Sequence, residues 1–164
     1  MKKFNAYLDI ETTGLFPEFS YITIIGIYME KEEERNFIQL IGKDITSFNL
    51  LFILRNVENI YTYNGSRFDL PFIKFKLDVD LRRYFNHIDL MYICWRKGLY
   101  GGLKAVEKKL GIERKFKEID GKMAVELWYR YIHHNDSYAL YLLSEYNKED
   151  VINLKKLKEK LEEL

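Results

Sequence analysis

Five side chains in this sequence have types and spacings that could do chemistry together. Asp9 and Glu11 stand two residues apart in "YLDIETTGLF", inside an apolar run. Asp69 follows a polar Asn-Gly loop in "YNGSRFDLPF", and Tyr146 and Asp150 are four apart in "SEYNKEDVINL". Residues i and i+2 of a strand share a face, so Asp9 and Glu11 point one way while Leu8 and Ile10 point the other. Two carboxylates placed like this repel, and burying them unpaired is costly. Three arrangements relieve the repulsion: a solvated strand end, a pair of basic partners, or a bound cation. Asp69 falls in the first turn of a predicted helix, where a carboxylate also favours the macrodipole. Tyr146 and Asp150 share one face of a predicted helix, one turn apart.

The elements that must position these groups are legible in the pattern of apolar residues. "KFNAYLDIET", "YITIIGIYME" and "RNFIQLIG" read as three consecutive strands with short links, hence an antiparallel meander. The charged tip "EKEEER" joins the second strand to the third. The period then changes: "DITSFNLLFILRN" has helical spacing with Asp44 as its N-cap, and "ENIYTYNG" follows as a short strand. "SRFDLPFIKFKL" reads as a helix after a capping Ser66. "FNHIDL" is a strand, and "DLMYICWRKG" is a helix closed by Gly98. Strand and helix alternating in this half imply parallel crossovers on a sheet that began antiparallel, which makes a mixed α/β sheet. The rest is helical: "GLKAVEKKLG" with Gly111 as its cap, "GKMAVELWYRYI", and a long amphipathic helix from about Asp136 to the end.

Composition narrows the classes. The 164 residues suit one domain, 1–164, and no linker or internal repeat divides them. With 48% apolar and 16% aromatic residues the chain can build a core, which argues against disorder. A net charge of +1 gives no global signature, so a nucleic-acid partner would have to be met by a local basic patch. There is no signal-like segment and no run of eighteen apolar residues, so the expectation is a soluble cytoplasmic protein. The lone Cys94 lies on a predicted amphipathic helix and reads as a small buried hydrophobe.

Taken in order, Asp-x-Glu, Asn-x-x-x-Phe-Asp and Tyr-x-x-x-Asp resemble the three exonuclease motifs of the DEDD superfamily, in its tyrosine-bearing branch. The match runs through "DIETTG", "YNGSRFDLPFI" and "YNKEDVINL". These stretches are similar to the proofreading exonuclease domains of family B DNA polymerases. "HIDLMYICWRKG" and "GGLKAVEKKLGI" look like short stand-alone prokaryotic proteins of the ribonuclease H-like fold that are predicted exonucleases. The resemblance spans about Tyr7 to Leu154. It implies a ribonuclease H-like α/β fold, a five-stranded mixed sheet flanked by helices, and 3′-5′ exonuclease activity that releases nucleoside monophosphates.

The resemblance further implies that Asp9, Glu11, Asp69 and Asp150 hold two divalent cations. Two ions about 3.5 to 4 Å apart can neutralise an anionic phosphodiester and clamp the attacking and leaving oxygens. Oxygen donors select Mg²⁺ or Mn²⁺, whereas zinc would usually call for clustered His or Cys; His87, His133 and His134 do not supply such a cluster. Tyr146 would orient the nucleophilic water, since a tyrosine of pKa about 10 is a weak base at neutral pH. Family members touch substrate at positions matching Thr12, Leu15, Asn64 and Phe68; for Phe68, core packing is the competing reading.

Between Arg96 and Lys117 lies a basic run: Arg96, Lys97, Lys104, Lys108, Lys109, Arg114, Lys115 and Lys117. It is either a solvated helix face or a track for a strand backbone, with Lys104 the best single candidate. Asp89 reads as a helix N-cap in preference to a metal ligand. The expected partner is a single-stranded 3′ end of DNA or RNA. The same metal chemistry would serve a structure-selective endonuclease, and a nucleic-acid binding module without turnover is the alternative outside enzymes.

Overall fold

The computed structural model describes residues 3–164. Strands β1 (Phe4–Thr12), β2 (Ile22–Lys31), β3 (Glu34–Ile41), β4 (Val57–Thr62) and β5 (Asn86–Asp89) form one sheet in the order β3-β2-β1-β4-β5. β2 is antiparallel to both β1 and β3, whereas β4 is parallel to β1 and to β5. Six helices among the described residues flank it: α1 (Ser47–Ile53), α2 (Asp69–Leu77), α3 (Leu90–Arg96), α4 (Leu103–Lys109), α5 (Gly121–His134) and α6 (Ser137–Glu163). This is the five-stranded mixed α/β architecture the sequence predicts. None of these helices is long and apolar enough to cross a membrane.

The alternation along β1 divides the core. Ala6, Leu8 and Ile10 pack with Leu50 of α1 and with Leu70, Phe72 and Ile73 of α2. Tyr7 faces the other way and meets Leu90 and Cys94 of α3, Val106 of α4, and Val151, Leu154 and Leu157 of α6. Leu8, Leu50 and Ile73 are fully buried, and each such side chain contributes about 1.5–3 kcal/mol. A third cluster joins Ile24 of β2 to Leu127 and Trp128 of α5 and to Leu143 and Tyr146 of α6. Layers on both faces therefore clamp the strand that carries Asp9 and Glu11.

Two caps differ from the sequence reading. Thr46, not Asp44, caps α1: its hydroxyl accepts from the Asn49 amide at 3.1 Å, while Asp44 ends a short 3-10 turn. Ser66 does not cap α2. That helix starts at Asp69 with Phe68 at the cap position and no side-chain cap, while the Ser66 amide donates to the Asp89 carboxylate at 3.1 Å. Gly98 and Gly111, at φ 74° and 70°, end α3 and α4 as predicted. Cys94 is buried, and burial pushes its thiol up to about 11.

Candidate active site

The acidic residues meet where β1 passes beneath α6. Antiparallel pairing sets Asp9 opposite Gly26 and Glu11 opposite Ile24, with both carboxylates directed to the α6 side. On α6, Tyr146, Asn147 and Asp150 face them. One oxygen from each of Asp9, Glu11 and Asp150 lies within 4.8 Å of the others. Asp69 reaches the same strand from α2, where its Oδ2 accepts from the Ile10 amide at 3.0 Å. It is not part of the tight group of three, yet its charge adds to the repulsion felt by Asp9 and Glu11.

The cost of this convergence appears in every carboxyl group. Burial, then repulsion from Asp150, Asp69 and Glu11, hold Asp9 well above the usual carboxylate range. Burial and Asp150 do the same to Glu11. Asp69 is pushed up to about 7, chiefly by burial, although the Ile10 amide opposes the shift. Asp150 is raised to about 6 by burial, with the Arg114 guanidinium working against it. Groups disturbed in this way concentrate at functional sites. Tyr146 is also pushed up, by burial and by the three neighbouring carboxylates, so its hydroxyl stays protonated at neutral pH. It can donate a hydrogen bond to a neighbouring oxygen.

Several positioning residues escaped the sequence reading. Asn147 donates from Nδ2 to the Asp9 backbone carbonyl and to its Oδ2, both at 3.3 Å, while its Oδ1 accepts from Gln39 at 2.9 Å. Gly26 makes that contact possible. A Cβ there would come within 2.1 Å of Asn147 Oδ1 and 2.9 Å of Val151 Cγ2. An isolated glycine in "ITIIGIYME" was the available signal, since glycine inside a strand marks close approach of another element. Gly26→Ala is expected to cost about 1–3 kcal/mol by forcing α6 outward, and to reduce metal-dependent activity by more than the stability loss explains. Calorimetry beside an activity assay checks this; wild-type activity in a destabilised variant would refute the positioning role.

The basic run divides. Lys108, Lys109, Lys115 and Lys117 are exposed, but Arg114 is buried and carries no strand track: it pairs with the buried Glu107 and with Asp150. Lys104 donates to the Ile119 carbonyl and sits 5.0 Å from the Tyr146 ring centroid, next to the cluster. Asp89 caps α3 by accepting from Met91, and it also gathers the Asn64 and Ser66 amides at 2.8 and 3.1 Å. It thus shapes the loop ahead of Asp69 and lies outside the tight acidic group.

Asn64 takes a left-handed conformation, φ 60°, which asparagine tolerates, and its buried Oδ1 has no partner among the described residues. Phe68 packs edge-on against Phe72 at 5.5 Å and against the core. Thr12 donates to the Gly14 carbonyl at 2.7 Å, tightening the turn that leads to Leu15. Leu15, Phe16 and Phe19 on that loop are 74%, 64% and 89% exposed. His133 stacks on Tyr129 in the last turn of α5, away from the acids.

Residues 6–162 match the model of the RNase_H superfamily, and the chain belongs to that superfamily. The fold superposes on a family B DNA polymerase from the hyperthermophilic archaeon Pyrobaculum calidifontis with a TM-score of 0.74. The two are 19% identical, over 98% of this chain and 25% of the polymerase. Brucella melitensis NrnC bound to pGG gives 0.64 at 20% identity, covering 97% of this chain and 72% of NrnC. Exonuclease I, in a structure with an inhibitor, gives 0.50 at 16% identity, covering 88% of this chain and 44% of that one. The chain therefore spans a quarter of the polymerase and less than half of exonuclease I. No curated protein sequence matches it. These likenesses show a ribonuclease H-like fold, and on it Asp9, Glu11 and Asp150 form a group of oxygen donors suited to a divalent metal.

Proposed function

We propose that this chain is a cytoplasmic, metal-dependent 3′-5′ exonuclease of the tyrosine-bearing DEDD type. In this reading residues 1–164 act as one exonuclease domain that removes nucleoside monophosphates from single-stranded DNA or RNA. The observation that carries it is the convergence of Asp9, Glu11 and Asp150 within 4.8 Å, with Asp69 bonded to the intervening strand. Four carboxylates that repel one another and a phosphate serve no passive nucleic-acid binder. Their oxygen donors fit two Mg²⁺ or Mn²⁺ ions, which when bound neutralise the phosphodiester and stabilise the attacking and leaving oxygens.

The protein's own groups do the rest. Asp9, Glu11 and Asp150 would hold the cations from the α6 side, and Asp69 from the α2 side. The protonated Tyr146 hydroxyl would orient the attacking water by hydrogen bonding. Lys104, beside Tyr146, would take the phosphate that follows the scissile bond, with the exposed lysines beyond it guiding the strand. Leu15, with Phe16 and Phe19 on the same loop, would pack against the terminal bases. The unpartnered Asn64 Oδ1 has an acceptor to offer a sugar or base, and Thr12 holds the backbone that approaches it. Phe68, engaged with Phe72, would support the terminal nucleotide from below.

A time course on 5′-labelled single-stranded DNA and RNA of one sequence, with Mn²⁺, Mg²⁺ or EDTA, tests the reading. A ladder shortening by one nucleotide at a time, abolished by EDTA, is expected. Discrete internal cuts would replace the exonuclease by an endonuclease, and no cleavage with any metal would overturn the enzymatic reading.

A further inference from the structure

Arg114 takes no part in the proposed strand contacts, and its guanidinium is buried and held by two carboxylates. Its Nε and Nη2 donate to Glu107 Oε2 and Oε1 at 2.8 and 2.7 Å, and Nη2 also reaches Asp150 Oδ1 at 2.6 Å. Glu107 is buried and held in turn by Asn153 Nδ2 at 3.3 Å. The chain on either side of the guanidinium is tied down as well. Asn153 Nδ2 donates to the Glu113 carbonyl at 3.4 Å, and the Glu149 carboxylate accepts from the Lys115 and Phe116 amides at 2.6 and 3.0 Å. The same guanidinium lies 5.9 Å from the Tyr146 ring centroid, one helical turn before Asp150.

We propose that Arg114 is a positioning residue for the metal site. Held by Glu107, it binds Asp150 Oδ1 and fixes the orientation in which the Asp150 carboxylate meets Asp9 and Glu11. This inference rests on the metal-dependent reading above and deepens it. The planar fork matters here as well as the charge. Only a guanidinium can hold Glu107 through two nitrogens and still present an N–H to a second carboxylate; a lysine is a point charge on a flexible stem. A purely neutralising role for Arg114 toward Glu107 would be met by either cation.

The test is a Mn²⁺ titration of the metal-free protein, followed by electron paramagnetic resonance of the free ion and needing no substrate. Wild type, Arg114→Lys and Glu107→Gln are compared, with a melting curve for each. Loss of an outer partner of a metal ligand weakens affinity by about 10- to 100-fold, and Arg114→Lys is expected to fall in that range while keeping its charge. Glu107→Gln loosens the anchor without altering Arg114 and is expected to give a smaller loss in the same direction; it decides the matter if Arg114→Lys does not fold. In turnover the loss should appear as a higher Mn²⁺ requirement, restored at saturating metal. Wild-type Mn²⁺ affinity in every folded variant, whatever its melting temperature, overturns the positioning role alone. A wild-type protein that binds no Mn²⁺ overturns the metal-dependent reading itself.

Discussion

Asp9→Asn is expected to abolish phosphodiester hydrolysis, by about a thousandfold or more, and at the same time to make the metal-free protein more stable. The two effects have one cause. Asp9 lies between Glu11, Asp69 and Asp150, and their combined repulsion and its burial hold its carboxyl far from its ordinary ionisation. Asparagine keeps the shape and retains an oxygen that Asn147 can donate to, but it brings no charge. Without metal at pH 8, losing that charge is expected to stabilise the fold by about 1–2 kcal/mol, which raises Tm by about 2–8 °C for a chain of this size. Calorimetry in EDTA measures the gain and the nuclease time course measures the loss. Substantial activity in the variant would remove Asp9 from the site, and a lower metal-free Tm would show that the cluster carries no repulsive cost.

The second large effect is a pH dependence that metal reverses. Asp69 is raised to about 7 and Asp150 to about 6, and Asp9 and Glu11 are raised as well. In the unfolded chain these groups titrate near 4. Between about pH 4 and 7 the folded state thus binds more protons than the unfolded one, and stability falls as pH rises. His87 works in the opposite direction, because burial lowers its pKa and the folded state loses stability as pH falls through the range where the unfolded imidazole charges. Four raised carboxyl groups outweigh one lowered imidazole, so the metal-free Tm is expected to be lower at pH 8 than at pH 5.5.

Adding Mn²⁺ at pH 8 should restore the loss, by about 2.7 kcal/mol at a free concentration of a hundred times Kd. At pH 5.5 the same addition should do much less, since the ligands must first lose their protons. A metal-free Tm that climbs from pH 5.5 to 8, or a Mn²⁺ effect equal at both pH values, would contradict this account. In Asp9→Asn the slope with pH should be shallower, which separates the cluster from His87.

Much of the fold can be read from local pattern. The period-2 alternation of β1 places Asp9 and Glu11 on one face and Leu8 and Ile10 on the other, and the structure has them so. The change from a meander to alternating strand and helix marks where the sheet turns parallel, and the observed strand order follows it. These features are legible because backbone geometry imposes a short period on which side chains meet the core. The caps expected at Asp44 and Ser66 differ from those observed because helix starts depend on where the preceding loop places them. Thr46 lies nearer the start of α1 than Asp44 and takes the cap, and α2 begins two residues beyond the position Ser66 could cap.

Local pattern is enough for the individual strands and helices and for the residue types able to gather a cation, because those follow from neighbours close in the chain, whereas the parallel pairing of β1 with β4 joins segments about fifty residues apart. The arrangement of the acids comes from long-range packing. That packing drew Asp9, Glu11 and Asp150 into one group while Asp69 bonded to the Ile10 amide. It also took Arg114 out of a run of exposed lysines and set it between Glu107 and Asp150, and it made Gly26 the gap through which Asn147 of α6 reaches Asp9. Apart from the Arg114–Glu107 pair, seven residues apart, these contacts join residues far apart in the chain, and their partners are fixed only when α2, α4 and α6 settle beside the sheet.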